Sequence, residues 1–393
     1  MRAALIIGSG TLGLAAVLAA CQEGSTSVPA RGLDSGPDAG VAVSEASTDA
    51  TTADVESLDA GEEAEAGCDP DAESPSDLAC TGLYADWTTK TIAPAVMPYT
   101  PSYVLWSDGA EKSRWIYLPE GSSIDTSDMD DWTFPVGTKV WKEFRWPEAD
   151  AAPTYAGVPA GQRIETRLLW KRPGGWDVLI YRWSDNESTA TLFLGGAMGV
   201  AGTTYEIPGV NECYDCHQGR QDFLLGFDLI GIGAPGAQGV TLAALADAGR
   251  LTVPPPATSI TIPEDKTGLS VSPLGFLHVN CGVTCHNSNC NAEAAGTEVY
   301  FKLLADQLYP EGGTAKVTGL DTYKTTVNVT STLMPNGMTW VIIDPGNADA
   351  SLLPHVTLAR DPDAGGFKPM PPLVSHIPDP VDVAKVEAWI NAL

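Results

Sequence analysis

The sequence predicts an α+β multidomain fold, with a β-sandwich-like N-terminal domain followed by a mostly α-helical region. Three observations carry that expectation. A small-residue, acidic composition gives way at Cys68 to a chain rich in aromatic residues, and ten of the eleven Trp lie between Trp87 and Trp340. Runs at 114–118, 138–146, 164–171, 176–183 and 190–194 interleave aromatic and aliphatic residues with charges, as half-buried antiparallel strands do. At the C-terminus Val383, Val386, Ile390 and Leu393 follow helical spacing, behind Asp379 and Pro380 as cap and first-turn residue.

Residues 1–20 read as an export signal. Met1-Arg2 supplies a positive start, 3–17 is apolar, and Leu18-Ala19-Ala20-Cys21 places small residues before a Cys, which resembles a bacterial lipobox. Cleavage after Ala20 would leave Cys21 acylated, and several acyl chains anchor a protein stably where one does not. The apolar run is too short to span a bilayer, so membrane contact is expected through lipid alone. The expected location is the cell envelope of a Gram-negative-type bacterium, facing periplasm or cell surface. Gln22, rather than Asp, after Cys21 points to the outer membrane by analogy with enteric lipoproteins.

Residues 21–67 form an expected disordered acidic tether. After Cys21 they contain no aromatic residue and carry eleven acidic side chains against the single Arg31. Such a segment buries too little apolar surface to offset its ordering entropy, and its like charges extend it. The β-rich domain is expected over 68–205. It is entered by Cys68 and Cys80, whose default pairing in an exported chain is a structural disulfide. Pro173-Gly174-Gly175 between two strand runs predicts a hairpin turn, and the Trp-rich runs suit a core between sheets.

Within 206–270 lies Cys213-Tyr214-Asp215-Cys216-His217, the C-x-x-C-H pattern of covalent haem c attachment. Each thiol can add to one porphyrin vinyl group, and the adjacent imidazole becomes the proximal iron ligand. Neither a disulfide nor half of a zinc site requires a His directly after the second Cys. A second, looser signature, Cys281-Gly282-Val283-Thr284-Cys285-His286, opens 271–393 with one residue more between the thiols, and Cys290 follows. Thiol counting leaves three arrangements there: two thioethers with Cys290 left over, a Cys281–Cys290 disulfide with Cys285 as single anchor and His286 as ligand, or a disulfide loop without haem.

The C-terminal stretch through Lys368-Pro369-Met370-Pro371-Pro372 to the last helix resembles the end of a class I cytochrome c. That resemblance makes Met370 the candidate distal ligand of a second iron, with the last helix packed on the haem-bearing one. For the first iron the distal candidates are His278, or Met334 or Met338, or no residue of these if His278 is structural.

Several segments together resemble a family of bacterial diheme c-type cytochrome lipoproteins. They are Leu105-Trp106-Ser107-Asp108-Gly109-Ala110, Phe134-Pro135-Val136-Gly137-Thr138, Ile164-Glu165-Thr166-Arg167, the first haem motif and Leu277-His278-Val279-Asn280-Cys281. The resemblance covers most of the chain after Cys68 and implies a β-rich domain fused to a cytochrome c-like haem region. The chain departs from it at the second motif, which in that family looks like an ordinary C-x-x-C-H.

The expected function is one-electron transfer through one or two haem c groups. The alternatives are a haem enzyme, peroxidase-like or an oxidase subunit, and a surface binding lipoprotein with a degenerate second site. A formal net charge of -28 argues against nucleic acid and for a redox partner with a basic docking surface.

Overall fold

The structure is a computed structural model and describes Cys68 and residues 72–148, 155–361 and 366–393. The expected signal, the tether and the acylated Cys21 lie outside the described residues.

Among the described residues nine strands are present: β1 (Tyr84–Asp86), β2 (Thr91–Ile92), β3 (Met97–Thr100), β4 (Glu111–Tyr117), β5 (Lys139–Arg145), β6 (Arg163–Arg172), β7 (Gly175–Trp183), β8 (Ala190–Leu192) and β9 (Gln238–Gly239). β1 and β2 make a two-stranded ribbon, and the others form one antiparallel sheet in the order β8-β7-β6-β5-β4-β3-β9. The meander follows from its turns: Pro173 and Gly174 alone separate β6 from β7, where Arg172 faces Gly175 across the pair. β9 comes from beyond the first motif yet pairs with β3, Tyr99 opposite Gly239. Only Gly fits there, because a Cβ would lie 2.1 Å from the Pro98 carbonyl oxygen and φ is +70°.

A sandwich of two sheets is therefore not what forms; a single seven-stranded sheet is covered on both faces by irregular chain. On its outer face Trp141, Leu168, Leu179 and Tyr181 pack under Leu78, Leu83 and Tyr84 of the entering segment, which the Cys68–Cys80 disulfide ties together with Cα atoms 5.2 Å apart. On the inner face Ile116, Val140, Phe144 and Ile180 share one cluster of buried residues with Phe276, Phe301 and Trp389 from the C-terminal half. Alternation along a strand reports which residues are buried, not what buries them. The core thus does not divide at 205.

The helices are α1 (Val210–His217), α2 (Leu229–Gly233), α3 (Leu242–Asp247), α4 (Val271–Leu277), α5 (Ala305–Leu308), α6 (Asp321–Thr326), α7 (Leu352–Leu358) and α8 (Pro380–Ala392). Among the described residues only α8 exceeds eight residues, so the expected mostly helical region is short helices joined by turns. Asp379 caps α8 by accepting from the Val381 and Asp382 amides at 3.1 and 3.0 Å. Val383, Val386, Trp389 and Ile390 are its buried face, and it packs against α4. Among the described residues no helix is long and apolar enough to cross a membrane.

Candidate functional site

The two Cys-His motifs, distant in sequence, line one cavity of about 910 Å³ between the inner face of the sheet and the C-terminal half. That volume is at the upper end of the roughly 300–1,000 Å³ usual for ligand pockets. α1 carries Cys213 and Cys216 three residues apart, hence on one side of the helix, with His217 as its last residue. The Glu212 carboxylate accepts from the Gly209 amide at 2.7 Å and closes the first turn.

His217 is oriented from behind. Its Nδ1 lies 2.6 Å from the Phe223 carbonyl oxygen. A carbonyl can only accept, so Nδ1 carries the proton and Nε2 keeps the lone pair a metal needs. Phe223 holds that carbonyl in place at φ 65°, a conformation uncommon for a bulky residue, and its ring lies 4.9 Å from the imidazole. Burial, with Lys142 and Arg167 adding repulsion, lowers the His217 pKa to about 4, so the ring is neutral.

The second motif reaches the same cavity by a different local structure. α4 runs into a π-helical turn over His278–Gly282, in which the Val283 amide donates to His278 at 2.9 Å and the His286 amide to Cys281 at 2.8 Å, each five residues back. A one-residue insertion in a helix is accommodated by such a turn. The extra residue of C-x-x-x-C-H is absorbed there, and Cys281, Cys285 and His286 all line the cavity. His286 repeats the arrangement of His217, with Nδ1 3.1 Å from the Val299 carbonyl. Burial lowers its pKa too.

Cys213, Cys216, Cys281 and Cys285 are free thiols. The Cys281–Cys290 disulfide that thiol counting allowed is therefore not formed. Burial raises Cys213 to about 11 and Cys216 and Cys281 to about 12, and raises Cys285 as well. These thiols are protonated at neutral pH rather than poised as thiolates. The motifs abut: a Cβ on Gly219 would lie 1.8 Å from the Thr284 carbonyl oxygen, and Cys285 is among the groups that shift Cys216. Among the described residues no three His, Cys, Asp or Glu converge to hold a bare metal ion.

Met370 lines the cavity, with its amide donating to the Val356 carbonyl at 2.8 Å. Met334 and Met338 do not, being 62 % and 52 % exposed. His278 is also placed elsewhere. It is buried beside Arg220, Asp228 and Lys302 in a separate small space, and its Nδ1 accepts from the Leu303 amide at 3.0 Å. In the neutral ring Nε2 then bears the proton and has no lone pair for iron. The π turn explains the correction: nearness to Cys281 in sequence is not nearness on the helix face.

Sequence reasoning did not single out the residues that clamp the cavity. Asp108 accepts from the Ser375 hydroxyl at 2.9 Å and from the His376 and Ile377 amides at 2.8 and 3.2 Å, fixing the loop that follows Met370. Trp106 donates from Nε1 to the Ile377 carbonyl at 2.7 Å, and its amide donates to Asn280 beside Cys281 at 2.7 Å. Asp222 accepts from the Phe134 amide at 2.6 Å, from Trp176 Nε1 at 3.0 Å and from Lys171, pinning the turn under His217 to the sheet. The only available signal was that Trp106, Asp108, Phe134 and Asn280 lie in the family-like segments.

Comparison with family models, with curated proteins and with solved structures finds no match to this chain.

Proposed function

We propose that this chain is a lipid-anchored c-type cytochrome of the bacterial diheme kind, carrying electrons one at a time. Haem c would be held by Cys213, Cys216 and His217, and a second by Cys281, Cys285 and His286, with Met370 as distal ligand. One observation carries this reading: two Cys-His motifs of different spacing converge on one cavity, each with its His Nδ1 tied to a backbone carbonyl and Nε2 left over. Bound there, the iron would supply ferrous/ferric exchange.

The chain's own part is positional. Phe223 and Val299 fix tautomer and ring direction of the two imidazoles, burial keeps both neutral, and Val140, Leu169, Val178 and Phe276 supply apolar lining that limits water. The contact of Gly219 with Thr284 holds the motifs side by side, which favours exchange between two cofactors. The acidic surface suits a basic redox partner, and Cys21 supplies the membrane contact. Protein made with a haem-attachment system should show a c-type pyridine haemochrome and an intact mass increased by two haems. Replacing Cys213 and Cys216 with Ala should remove one of them from denatured protein. A colourless product of unmodified mass would overturn the proposal.

A further inference from the structure

A row of cations on the sheet wall of the cavity has no counterpart in the fold. Arg114 on β4 faces Lys142 on β5, and Lys142 faces Arg167 on β6, so three positive side chains stand abreast on the inner face. All three line the cavity. Like charges directly opposite one another in a sheet destabilise it, and more so as water is excluded.

Arg167 is balanced. Its guanidinium donates to Glu165 at 2.5 and 2.9 Å, and the Tyr205 hydroxyl donates to the same carboxylate at 2.9 Å. Arg114 and Lys142 are not balanced: among the described residues neither side chain has a hydrogen bond or an ion pair. Arg114 is 7 % exposed, with the Tyr99 phenol as the group that offsets its burial. Lys142 lies 5.0 Å from the Phe144 ring and feels the Glu165 carboxylate, which is already held by Arg167, only at a distance. Burial, with Arg114, Lys112 and Arg167 around it, holds the Lys142 ammonium well below the usual lysine value. The row stands on the sheet against which α1, the helix of the first motif, packs through β7.

We infer that this row is a binding site for a small carboxylate or comparable oxyanion inside the cavity, with Arg114 and Lys142 as its charged contacts. A guanidinium matches a carboxylate with two parallel N–H bonds, and an ammonium adds a point charge. The carboxylate could be carried by a porphyrin at the first motif, which rests on the proposed function, or by a diffusible anion, which does not.

The experiment uses the full chain as purified, with Arg114→Gln, Lys142→Gln, the double variant and exposed Lys385→Gln as control. Lys142→Met keeps the apolar stem should the glutamine variants fold poorly. Acetate and sulfate are titrated by calorimetry, and the midpoint potential of any bound haem is measured. A diffusible site appears as saturable acetate or sulfate binding that weakens about tenfold or more in either single variant and not in the control. A porphyrin site appears as no binding of added anion, with a lower potential and altered Soret dichroism in the double variant only. A colourless protein that binds anion through the row removes the cytochrome reading and keeps this one. Coloured or colourless, protein that binds no added anion and whose potential and spectrum are indifferent to both substitutions overturns the inference.

Discussion

Replacing Asp222 with Ala should be among the most damaging single changes outside the motifs. Asp222 and Lys171 are 6 % and 7 % exposed, and the carboxylate also accepts from the Phe134 amide and Trp176 Nε1. Its removal leaves a buried ammonium and two buried donors without partners. Breaking a buried pair by deleting one member typically costs about 3–5 kcal/mol, against a total stability of about 5–15 kcal/mol. With an unfolding entropy near 2.1 cal/mol/K per residue over about 300 ordered residues, that loss lowers Tm by about 5–8 °C. Asp222→Asn keeps an acceptor but not the charge and should fall between. Differential scanning calorimetry, with urea unfolding at unchanged m, reads the effect. Because Asp222 precedes Phe223, the variant should also loosen the carbonyl under His217 and, if haem is bound as proposed, change the ligand-field spectrum at the first motif alone. A Tm within about 1 °C of the parent would refute the placement of the buried cluster.

Three further outcomes are expected. Gly219→Ala forces the abutting backbones apart and should lower stability by about 1–3 kcal/mol in urea unfolding, and should perturb the bands of haem at either motif if it is bound as proposed. Met370→Leu removes the thioether from the cavity, so a haem bound at the second motif as proposed should become partly high-spin and bind carbon monoxide; an unchanged spectrum would exclude Met370 as ligand. Burial lowers His278 from 6.5 to about 4, so it stays neutral in the fold while the unfolded chain takes up a proton. The unfolded state binds more protons between those values, and stability falls as pH drops through that window, by about 3 kcal/mol in all. His278→Gln should flatten that part of the urea-derived stability profile, and parallel profiles for the two proteins would show that His278 does not titrate in this way.

What the sequence made legible was local. The strands over Lys139–Arg145, Arg163–Arg172 and Gly175–Trp183 fall within about a residue of their expected places because side-chain alternation and the Pro173-Gly174 turn are local physics. The cap and buried stripe of α8 are local in the same sense, though Trp389 replaces Leu393 as the deepest member of its last turn. What covers a sheet is not local. The entering segment around Leu78 and Leu83 closes the outer face, and β9 joins β3 over about 140 residues of chain, neither of which any window of sequence reports.

The candidate site divides along the same line. Two thiols and a His within five or six residues are visible as spacing, whereas Arg114, Lys142 and Arg167 become neighbours only once the register of three strands is set. Asp108 and Asp222 look like ordinary loop acids until their hydrogen bonds are traced to Ser375 and to Trp176. The second motif shows most clearly why spacing rules need backbone geometry. C-x-x-x-C-H departs from C-x-x-C-H by one residue. The helix widens into a π turn over His278–Gly282 and the His286 amide donates to the Cys281 carbonyl five residues back, so the longer motif still presents Cys281, Cys285 and His286 to the cavity. The same widening leaves His278 on the far side, beside Asp228. The spacing that seemed to weaken the second motif and the residue that seemed to complete the first are therefore both answered by one turn of backbone.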